Sequence, residues 1–291
     1  MNQGPDTSDQ TYQYNLATYG PNHNYDDFIQ NFTASAFNPK DWVDLFADAG
    51  AQYFVQVSKH HDGYAIFDLP AKVTQRTSVA QFPHRNLLQE LFDAAAKYQP
   101  SLHRATYYSL PEWFNPAYAK YGFSLWPGGN ATNPYTNQTL PYTGFVEVED
   151  YVTDIILPEM QALAAMGTEI MWCDIGGPNM TAQFASQWFN SQAQMGKQVV
   201  MNSRCGLPGD FDTPEYARYD AIQVRKWEVR LSSFSLYPIH LSFHPPPSLP
   251  SPSIYFQTLN RADEFMNCCS RISEWTPSPT ATTAPPRPPP T

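Results

Sequence analysis

Four times along the chain, a run with helical spacing of apolar residues leads into a short apolar run. The helical runs occupy residues 41–49, 86–98, 152–166 and 181–195, and a glycine or proline follows each of them. The third contains Pro158, which should kink it. The apolar runs predict strands at Tyr53–Val57, Ala105–Ser109, Glu169–Asp174 and Gln198–Asn202. A helix followed by a strand, repeated in this way, is typical of a right-handed array of parallel strands.

Each predicted strand ends in polar side chains that are suited to chemistry. The four strand ends read Lys59-His60-His61-Asp62-Gly63, Tyr107-Tyr108-Ser109, Trp172-Cys173-Asp174 and Asn202-Ser203-Arg204. Parallel strands bring their carboxyl ends to one edge, as in a β/α barrel, so we expect these residues to form one site. The sequence therefore predicts an α/β fold, a TIM-barrel-like (β/α)8 catalytic domain that is incomplete in this chain.

The composition of the chain changes after Trp227-Glu228, which predicts two regions. Residues 1–230 are expected to form the partial barrel, and residues 231–291 a proline-rich tail that is disordered or arises from an unspliced intron or frameshift. Of the chain's 28 prolines, 13 lie in residues 232–291, a composition that cannot bury a core. A loop at 114–150, rich in proline, glycine and asparagine, is expected to contribute substrate contacts.

Charge and hydropathy exclude two classes of partner. The net charge is −10 and Lys and Arg form no stripe, which disfavours a nucleic-acid surface. No apolar run approaches the ~20 residues that a membrane span needs, so we expect no membrane partner.

Four asparagine glycosylation sequons predict a secreted, extracellular protein whose signal peptide is absent from this chain; they begin at Asn31, Asn130, Asn137 and Asn179. The cysteines at 173, 205, 268 and 269 show neither disulfide-framework nor zinc spacing. Cys173 is expected to serve as a small apolar residue in a buried strand.

Carboxylates near the third and fourth strand ends predict hydrolytic chemistry. Glycoside hydrolysis with retention needs two carboxyl groups roughly 5–5.5 Å apart, one as nucleophile and one as acid/base. Asp174 is placed to be one of them, although capping the N-terminus of a helix would explain this aspartate equally well. Asp210, Asp212 and Glu215 are candidates for the second, and spacing alone does not select among them.

The run His60-His61-Asp62 has two interpretations. Histidine and carboxylate side chains bind zinc, but adjacent strand residues point to opposite faces and rarely bind one ion together. Hydrogen bonds from the imidazoles to sugar hydroxyls explain the pair more simply.

The ordered set of motifs resembles the α-L-fucosidases of glycoside hydrolase family 29. The resemblance covers roughly residues 12–228. Its segments are Ala49–Tyr53 with Lys59–Gly63, Tyr107–Leu110 with Glu112-Trp113-Phe114, Trp172–Asp174, Asn202–Arg204, Asp210–Tyr216 and Lys226–Glu228.

This resemblance implies a retaining exo-glycosidase that releases terminal α-L-fucose from fucosylated oligosaccharides or glycoproteins, without cofactor or metal. By the same resemblance Asp174 is the nucleophile and Glu215 the acid/base, with Glu112 and Asp212 as rivals. The implied sugar-binding residues are His60, His61, Tyr107 or Tyr108, Trp172 and Arg204.

The chain also departs from the family pattern. The family's opening strand, with a His-Trp-Gly site and a later Glu-Trp pair, is missing, and His23 does not replace it. Two alternatives follow: an inactive or fucose-glycan-binding remnant, and a metal-dependent barrel hydrolase built on His60-His61-Asp62. The sequence does not fix an oligomeric state.

Overall fold

The computed structural model describes residues 7–123 and 127–214, which contain a four-stranded parallel sheet. The strands are β1 (Tyr53–Lys59), β2 (His103–Ser109), β3 (Ile170–Asp174) and β4 (Val200–Met201), adjacent in that order. The predicted parallel α/β array is therefore confirmed, whereas these residues do not show an eight-stranded barrel. Glu215, the domain boundary at 230 and the proline-rich tail lie outside the described residues.

Five α-helices accompany the strands in the described ranges: α1 (Gln10–Tyr19), α2 (Pro39–Asp48), α3 (Leu87–Tyr98), α4 (Leu157–Ala165) and α5 (Thr181–Gln194). Helices α2 to α5 match the four predicted runs. Helix α1 was not predicted, because it buries no residue and so has no apolar stripe; the carboxylate of Asp9 caps its first N–H groups.

The proline in the third helical run changes the helix as expected. A π-helical turn at Val152–Ile156 precedes α4, and Pro158 lies in the first turn of α4. Proline has no N–H to donate to the preceding turn, so the helix widens there.

The two faces of the sheet carry different side chains because successive strand residues point to opposite sides. We call the side that packs against the helices the helix face; its buried residues include Phe54, Tyr108, Met171 and Cys173. The other side, here the inner face, carries a separate buried cluster of Val55, Ala105, Tyr107 and Trp172. Tyr107 pairs with Trp172 and Ser109 with Asp174 across β2 and β3, so Asp174 belongs to the inner face.

Strand β4 is shorter than predicted, and the side chain of Asn202 extends its pairing with β3. The N–H of Cys173 donates to Oδ1 of Asn202 (2.9 Å), and Nδ2 of Asn202 donates to the carbonyl of Cys173 (2.9 Å). The amide thus takes the place of a backbone ladder pair and holds the chain after β4 against β3.

The interpretation of Cys173 as only a small apolar residue is wrong, because its sulfur forms a disulfide. Cys173 and Cys205 are joined, with their Cα atoms 4.9 Å apart. Framework spacing detects several bridges in a small domain, whereas this single bridge joins a strand to a turn 32 residues later, which only the fold brings together.

A fully buried ionic cluster closes the helix face at the end of β1. Nζ of Lys59 lies 2.8 Å from Oε1 of Glu112 and 2.5 Å from Oε2 of Glu159. The hydroxyl of Tyr108 donates to the same oxygen of Glu159 (2.5 Å), and Tyr142 donates to Glu112 (2.6 Å). The cluster ties β1 and β2 to α4 and to the loop after β2.

The protonation of this cluster is set by burial and by its charges. Burial alone would lower the pKa of Lys59, but the two carboxylates outweigh it and raise that pKa. Burial, with the charge of Glu112, raises the pKa of Glu159 to about 7 against the opposing effect of Lys59. One ammonium therefore serves two carboxyl groups of unequal acidity.

We predict that Lys59→Met lowers the free energy of unfolding by roughly 3–5 kcal/mol, because it leaves two buried carboxyl groups without their cation. Urea unfolding at pH 7 measures the change. Lys40→Met is the matched control, since Lys40 forms an exposed helical pair with Asp44. Equal, small effects of both substitutions would show that the buried cluster does not stabilise the fold.

Candidate active site

Asp174 lies at the centre of a hydrogen-bonded group at the carboxyl end of the sheet. As the last residue of β3 it is 5% exposed. Its Oδ2 accepts a hydrogen bond from the hydroxyl of Tyr107 (2.5 Å), and its Oδ1 accepts from Nη1 of Arg204 (2.5 Å). Neighbouring strand ends therefore bring together three side chains that the sequence placed in one site.

The guanidinium of Arg204 is held on both sides. Arg204 lies in a short 3-10 turn, Ser203–Cys205, directly after β4 and Asn202. Its Nε and Nη2 donate to the carbonyl of Thr213 (2.8 and 2.5 Å), while Nη1 reaches Asp174. The hydroxyl of Thr213 accepts from Nδ2 of Asn202 (2.9 Å). The arginine is thereby fixed in orientation before any substrate binds.

The two histidines that follow β1 continue the group. The ring centroids of His60 and His61 are 3.7 Å apart, and His60 lies 5.6 Å from the ring of Tyr107. The expectation that they point to opposite faces is wrong, because they follow the last strand residue and form part of a turn. The ring of Trp113 stacks on that of His61 with centroids 3.5 Å apart, and the backbone N–H of Trp113 donates to the His61 carbonyl (2.8 Å).

Arg76 supports the histidine turn from behind. Its Nε donates to the carbonyl of Asp62 (2.9 Å), and its two terminal nitrogens bind the carboxylate of Asp26 at 2.7 Å each. Burial raises the pKa of Asp62 to about 6, although the charge of Arg76 lowers it. The turn is thus anchored at its backbone, which leaves the imidazoles to face the site.

The two tyrosines that end β2 separate onto opposite faces. Tyr107 lies on the inner face with Asp174, whereas Tyr108 lies on the helix face and donates to Glu159 in the buried cluster. The structure therefore favours Tyr107 over Tyr108 as the site tyrosine, because the Tyr108 side chain is fully buried away from Asp174.

Trp172 lies beneath the site on the inner face. Its ring packs edge-on against Tyr107, with centroids 6.0 Å apart. The indole N–H is buried and has no hydrogen-bond partner within residues 7–123 and 127–214. Such a donor is costly to leave unsatisfied.

The three rivals for the second carboxyl group differ in position. Burial would raise the pKa of Glu112, but Lys59 and the bonds from Tyr142 and Asn115 lower it overall, so this group stays ionised. A general acid needs a proton at the working pH, which disfavours Glu112. Asp210 accepts from the Met201 N–H (2.8 Å) and caps β4. Asp212 is half-buried, one residue beyond the bridge between Asn202 and Phe211.

The backbone after Asp174 turns sharply away from the strand. Ile175 has φ 75°, which is rare for a β-branched residue, and its N–H donates to Oδ1 of Asp174 (2.9 Å). Strain of this kind is found where the structure must fix a functional group. At Gly176, no atom of the described residues lies within 4 Å of an added Cβ, so the backbone just after Ile175 borders open space in this part of the chain.

Sequence reasoning placed four further residues in the recognised motifs but assigned none of them its role in organising the site: Ser109, Trp113, Asn202 and Thr213. The hydroxyl oxygens of Ser109 and Tyr107 lie 3.0 Å apart and form a hydrogen bond. The other three residues act through the contacts given above. Their positions within the recognised motifs were the only indication of function that the sequence offered. Their roles depend on side-chain directions that spacing does not reveal.

The described part of the chain also bears on metal binding and on membrane insertion. Within it, no three His, Cys, Asp or Glu side chains are grouped so as to hold a metal ion, so the metal-hydrolase hypothesis gains no geometric support. No helix among these residues has the length and apolar character to cross a bilayer.

Comparison with known proteins connects this geometry to a family. A sequence model described as alpha-L-fucosidase matches residues 1–236. An alpha-L-fucosidase of Branchiostoma floridae is 31% identical over 222 residues, which is 72% of this chain and 44% of that protein. Tissue alpha-L-fucosidase of Macaca fascicularis is 40% identical over 225 residues, covering 72% and 42% respectively.

Solved structures agree with the sequence comparison. One, an alpha-L-fucosidase, has a TM-score of 0.59 and 26% identity and covers 77% of this chain and 47% of its own. The Thermotoga maritima alpha-fucosidase in complex with a mechanism-based inhibitor has a TM-score of 0.56 and 26% identity, covering 76% and 47%. The chain thus spans less than half the length of these relatives. Because the family match extends over most of its residues, the chain belongs to the alpha-L-fucosidase family.

Proposed function

We propose that this chain carries the nucleophile and sugar-binding face of a retaining exo-glycosidase that releases terminal α-L-fucose from fucosylated oligosaccharides or glycoproteins. The observation that carries the proposal is the carboxylate of Asp174, held at a strand end between the Tyr107 hydroxyl and the Arg204 guanidinium. Family membership supplies the substrate class, and the second carboxyl group is the part that the described residues leave open.

The side chains around Asp174 suit a 6-deoxy sugar. Fucose presents hydroxyl groups that need donors and acceptors, and a methyl group on C5 that needs an apolar wall. The imidazoles of His60 and His61 and the indole N–H of Trp172 provide polar atoms, and the rings of Tyr107 and Trp113 provide apolar surface.

The first chemical step is attack by Asp174 on the anomeric carbon. One carboxylate oxygen forms the bond to C1 while the glycosidic oxygen leaves with a proton from the acid/base residue. Arg204 and Tyr107 each donate to one oxygen, so they hold the plane of the carboxylate before the attack. In the second step, water loses a proton to the same acid/base residue and releases fucose with its configuration retained.

Glu215 is the proposed acid/base. Thr213 contacts Arg204 and precedes Glu215 by two residues, which span at most about 7 Å of chain. This closeness in sequence to a residue that contacts Arg204 supports the assignment. Glu112, one of its two rivals, has a pKa that Lys59, Tyr142 and Asn115 lower against the effect of burial, which does not suit a general acid.

We predict that Asp174→Gly lowers turnover of an aryl α-L-fucoside by several orders of magnitude, because the covalent intermediate cannot form. Sodium azide should restore part of the activity and yield a β-fucosyl azide, since the anion fits the space left by the carboxylate and attacks from the same face. Product analysis by NMR measures the configuration.

Asp68→Gly is the matched control, an exposed aspartate in a loop, and it should retain wild-type turnover. Full activity of Asp174→Gly without azide would show that another residue is the nucleophile. A wild-type chain that binds fucose without turning it over would favour the binding remnant.

For the acid/base, we predict that Glu215→Gly slows fucosides with poor leaving groups far more than those with activated aryl groups, because only the former need a proton. Azide should rescue this variant with an α-fucosyl azide as product. The same pattern in Glu112→Gln, with none in Glu215→Gly, would transfer the role to Glu112.

We also propose that the protein is secreted and glycosylated. A buried disulfide is typical of oxidising compartments. Asn31, Asn130 and Asn137 are exposed, as a glycan acceptor must be. Asn179 is half-buried, and its side chain bonds the Gly177 carbonyl (2.8 Å) and the Thr181 N–H (3.0 Å).

Protein expressed through a eukaryotic secretory pathway should carry glycans at the three exposed sequons and little at Asn179, because its amide is engaged in the fold. Peptide mass spectrometry after enzymatic deglycosylation in H₂¹⁸O measures occupancy at each site. A glycan at Asn179 combined with unoccupied Asn31, Asn130 and Asn137 would contradict the expected pattern of glycosylation.

A further inference from the structure

The single disulfide of the described residues lies directly beside the central ion pair of the site. Cys173 immediately precedes Asp174 at the end of β3, and Cys205 immediately follows Arg204 in the turn after β4. The same two backbone segments are therefore joined twice, once by a covalent bond and once by the carboxylate and guanidinium.

The two connections lie on opposite faces of the sheet. Cys173 packs into the helix-face core, whereas Asp174, the next strand residue, belongs to the inner face. Both cysteines are fully buried. A bond on one side and an ion pair on the other leave these segments little freedom to separate or to rotate about each other.

Apart from these two connections, the segments are linked by a short strand ladder and by Asn202, whose backbone N–H donates to the carbonyl of Met171 (3.3 Å). Strand β4 has only two residues, Val200 and Met201, and they pair with Ile170 and Met171 rather than with the end of β3. Between the segments the chain leaves through Gly176-Gly177 and returns through α5. Beyond the ladder, the Asn202 amide is the other main link to Cys173.

We infer that the Cys173–Cys205 disulfide is a positioning device for catalysis, which sets the place of the Arg204 guanidinium against the Asp174 carboxylate. This inference depends on the proposed function, because it assigns a role within that site. The disulfide touches neither substrate nor reacting atoms and acts only through Arg204.

The consequence is specific to the chemical step. Without the bond, only Asn202 and the ion pair hold the turn at Ser203–Cys205 against the end of β3, so Arg204, one of the two donors to Oδ1 of Asp174, gains freedom to move. Small displacements of a reacting group cost turnover more than ground-state binding. We expect kcat to fall while KM, set mainly by the histidines and aromatic rings, changes little.

The test uses the full chain with Cys173→Ala and Cys205→Ala together, assayed on an aryl α-L-fucoside. The double variant should lose about tenfold or more in kcat with a smaller change in KM. Non-reducing peptide mapping of the wild type must first show Cys173 cross-linked to Cys205. Pairing with Cys268 or Cys269 instead would overturn the inference.

A cycle with Arg204→Lys separates positioning from general destabilisation. If the disulfide acts through Arg204, removing it from the Arg204→Lys variant should cost little further kcat, although thermal stability still falls in both backgrounds. If removing the disulfide lowers kcat by the same factor in the wild type and in the Arg204→Lys variant, the disulfide has a purely structural role. An unchanged kcat in the folded double cysteine variant would lead to the same conclusion.

Hydrogen–deuterium exchange supplies a readout that needs no turnover. The peptide over residues 199–214 should exchange faster in the double cysteine variant, while the peptide over α3 should not change. If the wild type is inactive but the two proteins differ in exchange in this way, the proposed function is refuted, whereas the disulfide still fixes the turn after β4. Unchanged exchange at residues 199–214 would show that the disulfide does not hold this segment in place, which would refute its role as a positioning device.

Discussion

The contact between the Asp174 carboxylate and the Arg204 guanidinium is the interaction on which the site depends. It joins the end of β3 to the turn after β4, and Tyr107 completes the set from β2. A carboxylate at 5% exposure is costly to hold in charged form without such donors.

Because strand residues alternate between two faces, the inner face of the sheet carries the candidate site and the helix face carries supporting contacts. Tyr107 and Asp174 point inward to the site, while Tyr108 and Cys173 point outward to a buried ionic cluster and a disulfide. Adjacent residues therefore carry function on one side and support on the other. Lys59 belongs to the support, since its two glutamate partners tie the end of β1 to α4 and to the loop after β2.

Apolar periodicity predicted the strands and four of the five described helices, because burial against a core imposes the spacing. It missed α1, which buries nothing, and overestimated β4, where the Asn202 side chain replaces backbone pairing. The convergence of Asp174 and Arg204 followed from parallel topology. The sequence could not separate Tyr107 from Tyr108 or pair Cys173 with Cys205, because both depend on side-chain direction and on contacts distant in the chain.

Trapping of the glycosyl-enzyme tests the central claim most directly. A 2-deoxy-2-fluoro-fucosyl fluoride slows both steps but keeps a good leaving group, so the covalent intermediate accumulates if a carboxylate attacks C1. We predict one sugar adduct per chain, located by peptide mass spectrometry on Asp174. An adduct on another residue, or continued turnover without any adduct, would contradict the assignment of Asp174 as the nucleophile.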